Sequence, residues 1–139
     1  MHLVRLIYVS EVVGNVSNED VEQILTSARK NNDRFQVTGL LCFNRNYFLQ
    51  CLEGSREMVN KTYHLICNDK RHDNIVLLDY REIDQRVFYN WSMGYMPESS
   101  LTAELNMKYS YNKEFTPYEM SGKGCHQFMM ELANTVPVL

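Results

Sequence analysis

The spacing of apolar residues changes between a period of two and a period of 3.6 and back, twice, within the first hundred positions. That alternation constrains the fold more than any single motif does. Residues 2–10 alternate as a strand, with Val4, Leu6 and Tyr8 on one face and Leu3, Ile7 and Val9 on the other; Arg5 implies that the second face is only partly buried. Gly14-Asn15 ends this strand, and Ser17 followed three residues later by Asp20 resembles a capping box with a short acid. The helix that starts there carries the stripe Val21, Ile24, Leu25 and Ala28, and the same spacing continued from Ile24 arrives at Asn31 and Asn32, so two amides end the buried face. Strands over about 36–43 and 47–53 flank the polar turn Asn44-Arg45-Asn46 and read as a hairpin, with Phe48, Gln50 and Leu52 sharing one face. Glu53-Gly54-Ser55 reads as a strand break. A second helix bears Met58, Val59, Thr62, Tyr63 and Ile66 and leaves through the charged loop Asp69-Lys70-Arg71-His72. Strands over about 74–82 and 90–96 follow, the last placing Trp91, Met93 and Tyr95 on one face.

The order β-α-β-β-α-β-β is that of an α+β, ferredoxin-like βαββαβ sandwich with an added fifth strand, two helices packing on one face of a mixed sheet. After Pro97 the pattern turns to two C-terminal helices, about 99–109 and 117–135. Thr116-Pro117 reads as cap and first-turn proline of the second, which Gly122 and Gly124 weaken. Its stripe of Cys125, Phe128, Met129, Leu132 and Val136 is expected to cover the open sheet face, the other use of such a stripe being a partner surface. The expected division is a sensory core at 1–96 and a helical extension at 97–139, with no linker or repeat between them.

At 139 residues, 45% of them hydrophobic, the chain is large enough for one real core. A net charge of −3 and the lack of a dense Lys/Arg run make direct nucleic-acid binding an unsuitable reading. No signal peptide or membrane-length apolar run is visible, so the expected location is the cytoplasm. Cys42, Cys51, Cys67 and Cys125 show no C-x-x-C spacing and the four histidines no ligand-pair spacing, which points to reduced thiols and no metal.

Taken singly, the polar and aromatic residues that carry chemistry have ordinary readings. Tyr8 in a strand is a core aromatic, Asn31 and Asn32 are helix-end caps, and Trp91 and Met93 are core. Gln50 is less ordinary, because an amide between Phe48 and Leu52 on a buried face needs both a donor and an acceptor partner, in the protein or on a ligand. Adjacent asparagines below a helix stripe offer the same paired chemistry to the edge of a flat heterocycle, and Arg71-His72 offers cationic or donor groups to a diphosphate.

In combination these segments resemble a known family. Arg5-Leu6-Ile7-Tyr8-Val9-Ser10, Asn31-Asn32, Val37-Thr38-Gly39-Leu40-Leu41, Phe48-Leu49-Gln50-Cys51-Leu52-Glu53-Gly54, Asp69-Lys70-Arg71-His72 and Trp91-Ser92-Met93 are similar in order and spacing to BLUF (blue light using flavin) domains. The match covers 3–96, and Lys108-Tyr109-Ser110 resembles the short BLUF proteins with a two-helix extension. The resemblance implies FAD between the two core helices: Asn32 at the pyrimidine edge of the ring, Asn31 beside it, Ile24 and Ile66 against the ring, and Arg29, Arg71 and His72 near the ribityl-diphosphate. It further implies a photoactive Tyr8–Gln50 pair. In the family, light moves charge from the tyrosine to the flavin, the glutamine rotates or tautomerises, and a changed hydrogen bond at a flavin carbonyl gives a reversible red shift. Trp91 and Met93 then relay the change, and which of the two faces the flavin is left open.

The implied role is a blue-light photoreceptor without enzymatic activity. Its implied partner is a downstream signalling protein of the response-regulator or transcriptional-regulator type, and self-assembly is expected through the stripe near Phe128. The alternatives are a non-photoactive flavin-binding protein, a colourless ferredoxin-like interaction module, and a small enzyme such as an acylphosphatase. That enzyme needs a cationic phosphate loop after the first strand, and Glu11-Val12-Val13-Gly14-Asn15 has no cation.

Overall fold

A computed structural model describes residues 2–135 and 137–139. The elements are β1 (Leu3–Val12), α1 (Asn18–Phe35), β2 (Thr38–Phe43), β3 (Tyr47–Ser55), α2 (Arg56–Cys67), β4 (His72–Glu82), β5 (Gly94–Met96), α3 (Ala103–Tyr109) and α4 (Gly122–Thr135). Short 3-10 turns cover Glu98–Ser100 and Pro117–Glu119. The sheet order is β4-β1-β3-β2-β5, antiparallel throughout except for the parallel β2–β5 pair. Each crossover skips one strand: β1-α1-β2 straddles β3, and β3-α2-β4 straddles β1. Both helices therefore land on one face, as a ferredoxin-like sandwich requires.

The alternation in β1 sorts two cores. Val4, Leu6 and Tyr8 pack under α1 and α2 with Leu41, Phe48, Leu52 and Val59. Ile7 and Val9 face the opposite core, built with Cys125, Phe128, Met129 and Leu132 of α4. The C-terminal stripe thus covers the sheet, and Phe128, with no exposed surface, is not available as a self-assembly face. Val136 lies outside the described residues. Arg5 on this second face is also buried, contrary to the expectation of a half-open face, because α4 covers it and its guanidinium pairs with Asp79 at 3.1 Å. Gly122 lets α4 begin directly on β4: a Cβ there would lie 2.3 Å from the Leu78 carbonyl oxygen.

Several boundaries depart from the sequence reading. The capping box forms, with the Asp20 N–H donating to Ser17 Oγ and the Ser17 N–H to Asp20 Oδ2. The helix does not end at the two asparagines, however; it runs to Phe35 and is capped by Gln36 at φ 56°. Glu53-Gly54-Ser55 does not break β3, which continues to Ser55 because Leu3, Val4 and Arg5 pair across all three positions. The fifth strand is only three residues long. Residues 90–93 are irregular, so strand parity fails there and Trp91 joins the α4-side core while Met93 and Tyr95 join the α1/α2 side. The last helix likewise starts at 122 rather than 117, Pro117 opening a separate 3-10 turn in which Thr116 makes no side-chain cap bond.

Candidate functional site

The second half of α1, the last turns of α2 and the central strands β1 and β3 enclose one cleft, with about 770 Å³ of empty space including its open mouth. Its floor is Tyr8 and Gln50, brought opposite each other by the β1–β3 register. Its walls include Ile24, Asn31 and Asn32 from α1 and Ile66 from α2, and Arg71 and His72 stand among its lining residues. Nine of the eleven residues singled out in the sequence are therefore either in this lining or, for Met93, directly against it; Arg29 and Trp91 are not.

The floor is a directed hydrogen-bond chain. The Tyr8 hydroxyl donates to Gln50 Oε1 at 2.5 Å, and Gln50 Nε2 donates to Met93 Sδ at 3.4 Å. Burial pushes the Tyr8 phenol well above its usual range, with Cys67, Tyr63 and Asp69 adding to the effect, so it stays protonated and donates. That direction fixes the Gln50 amide, its oxygen toward Tyr8 and its nitrogen toward Met93. Trp91 packs instead beside Phe88, with ring centroids 6.2 Å apart, on the far side of the sheet. In this structure the residue that touches the glutamine is Met93.

On the α1 wall Asn32 is buried and its Nδ2 donates to the Ser92 carbonyl at 2.6 Å, while Asn31 is more exposed at the cleft. Arg29 turns away from the cleft: its Nε donates to the Met93 carbonyl and its Nη2 to the Leu139 carbonyl, both at 3.0 Å. At the rim Arg71 is held by Asp69, with Nη2 to Oδ2 at 2.6 Å, and this contact lowers the Asp69 carboxyl below its ordinary range. His72 lines the cleft with its ring while both nitrogens are engaged, Nδ1 with Ser10 Oγ and Nε2 with the Ile66 carbonyl, each at 2.7 Å.

Sequence reasoning missed Glu53. Its fully buried carboxylate accepts from the Val87 N–H at 3.1 and 3.0 Å and from the Phe88 N–H at 2.7 Å, pinning the loop that leads to Trp91 and Met93. An acid in a run of apolar strand residues was the available signal. Among the described residues no cluster of His, Cys, Asp and Glu is arranged to hold a metal, and no helix is long and apolar enough to cross a membrane.

The family model described as "BLUF: Sensors of blue-light using FAD" matches residues 3–94, the region that builds this cleft. The chain belongs to the BLUF family. It therefore carries an FAD-using, blue-light-sensing domain. The solved structure of the BlsA photo-activated state is 36% identical, covers 99% of this chain and 98% of that one, and superimposes with a TM-score of 0.80. The dark-state BLUF protein BlrB is 28% identical, with 94% and 96% coverage and a TM-score of 0.77. The blue light- and temperature-regulated antirepressor BluF of Escherichia coli (strain K12) is 41% identical over 80 residues, which are 56% of this chain and 20% of that protein. The chain spans a fifth of the length of this BLUF antirepressor. A further match is a bacterial light-regulated adenylyl cyclase, 38% identical with a TM-score of 0.68 over 70% of this chain and 28% of that one.

The cleft fits the cofactor the family uses. A slot with Ile24, Ala28, Leu65 and Ile66 along its sides and the amides of Asn31, Asn32 and Gln50 converging on it suits a flat heterocycle with a polar edge.

Proposed function

We propose that the chain is a non-enzymatic cytoplasmic photoreceptor in which Tyr8 and Gln50 are the photoactive pair, residues 1–96 sense light, and residues 97–139 pass the change to a partner. The observation that carries this reading is the Tyr8–Gln50–Met93 hydrogen-bond chain on the cleft floor. When bound, FAD supplies blue-light absorption and an excited ring that takes up an electron and a proton.

The residues of this chain supply the rest. Tyr8 would be the source of both the electron and the proton: it keeps its proton on the hydroxyl oxygen in darkness and would give it up along the bond to Gln50 Oε1 as the phenol loses an electron, the amide passing a proton on. Loss of the phenolic proton removes the donor that fixes the Gln50 amide, so the amide reorients and its bond to Met93 Sδ is exchanged. Asn31 and Asn32 read the polar edge of the ring, Ile24 and Ile66 pack on it, and Arg71 neutralises the diphosphate by exchanging its Asp69 partner. His72 acts through ring packing beside Tyr8, with centroids 6.1 Å apart, since both its nitrogens are committed.

The partner is proposed to be a regulatory protein. The relatives include a blue light-regulated antirepressor and photoactivated adenylate cyclases, whose names are those of regulatory proteins, and this supports the reading. The test is the absorption spectrum in darkness and under blue light of the wild type, Tyr8→Phe and Gln50→Leu. A reversible red shift lost in both variants supports the reading; a bound flavin with no shift in the wild type overturns it.

A further inference from the structure

β5 lies at the end of the sheet, paired with β2 on one side only. Its outer edge is taken by the chain itself. The Tyr95 N–H donates to the Leu139 carbonyl at 3.0 Å and the Leu139 N–H to the Tyr95 carbonyl at 3.1 Å, the reciprocal pair of an antiparallel ladder. Val138 sits directly on Gly94: a Cβ at position 94 would lie 2.6 Å from Val138 Cγ1, so the absence of a side chain makes the seat. The two contacts have the parts of strand-addition recognition, backbone bonds for affinity and a pocket for an alternate side chain for specificity.

The same edge is wired to the cleft. Arg29 holds the Met93 carbonyl with Nε and the Leu139 carbonyl with Nη2, so one guanidinium spans the residue against Gln50 and the residue on the edge. A shift of the Met93 backbone therefore alters one of the bonds that hold residue 139.

We propose that the outer edge of β5 is a docking site for an extended segment of a partner protein with a small aliphatic residue over Gly94, kept closed by residues 137–139 and opened when Met93 moves. The chain's own segment shows the ligand chemistry: an extended backbone, a valine in the seat and a carbonyl for Arg29. The opening by light rests on the photoreceptor reading above; the existence of the edge site does not.

The experiment uses a fluorescein-labelled peptide with the sequence of residues 134–139, Asn-Thr-Val-Pro-Val-Leu, titrated by anisotropy against the flavin-loaded full chain, with absorption recorded on each sample. Val138→Asp unseats the side chain, and Leu139→Pro deletes the N–H that Tyr95 accepts from. Both variants are expected to bind the peptide in darkness at least about tenfold more tightly than the wild type, since the closed fraction no longer lowers apparent affinity. Illumination is expected to bring the wild type toward the variants and to raise amide exchange at Tyr95. No binding to either variant, with normal spectra, overturns the docking site. Variant binding together with an unchanged wild type that shows its red shift overturns the opening by light. Absence of the red shift overturns the photoreceptor reading instead, and the dark titration of the variants still decides the edge.

Discussion

Asn32 Nδ2 donates to the Ser92 carbonyl at 2.6 Å, joining the last turn of α1 to the irregular segment before β5. One amide thus serves the cleft wall and the position of Met93, the next residue in the chain. Replacing Asn32 by Ala is expected to lower flavin occupancy and to destabilise the protein by about 1 kcal/mol, the net worth of one such bond. Flavin-to-protein absorbance ratio and urea midpoint read the two effects; a variant with unchanged occupancy removes Asn32 from the flavin site.

Glu53→Gln replaces one carboxylate oxygen with a donor that faces the Val87 N–H. The expected cost is about 2–3 kcal/mol in chemical denaturation, because buried bonds to a charged or carboxyl acceptor are lost and a donor is stranded. Phe88 and Trp91 pack together, so tryptophan fluorescence is expected to shift in the same variant. A denaturation curve that overlays the wild type contradicts this role.

Arg71→Gln separates the diphosphate from the ring. Its affinity for FAD is expected to fall about tenfold while its affinity for riboflavin, which has no phosphate, stays unchanged. Asp69→Asn, which frees Arg71 from its carboxylate, is expected to tighten FAD selectively. Equal changes for both flavins place Arg71 outside the diphosphate site.

The pH dependence has a definite sign at His126. Burial, and after it the Arg5 charge, lowers its pKa from 6.5 to about 4, with Asp79 opposing and Arg81 assisting. The folded state therefore keeps the ring neutral where the unfolded chain protonates it, so its contribution is complete above pH 6.5 and is lost as pH falls toward about 4. Glu53 has the opposite slope, since burial raises its pKa and the folded state holds that proton to higher pH. Urea midpoints measured down this range are expected to fall less steeply with acidity in His126→Phe than in the wild type; parallel profiles refute the assignment.

Much of the fold was legible in the sequence because local rules dictate it. Alternation assigned Tyr8 and Gln50 to the faces they occupy, and the Ser17–Asp20 box placed the start of α1. The candidate cleft followed from ordered segments that resemble a family, and its lining includes Ile24, Asn31, Asn32, Ile66, Arg71 and His72. Where local periodicity ends, at residues 90–93, only the tertiary structure decided that Met93 meets Gln50 and Trp91 crosses to the other core. Tertiary structure likewise turned Arg29 from the cleft to two carbonyls, buried Arg5 with Asp79 and gave Glu53 its backbone donors. Each of these polar groups is satisfied by a partner more than thirty residues away, and sequence spacing carries no information about which distant donor or acceptor will arrive.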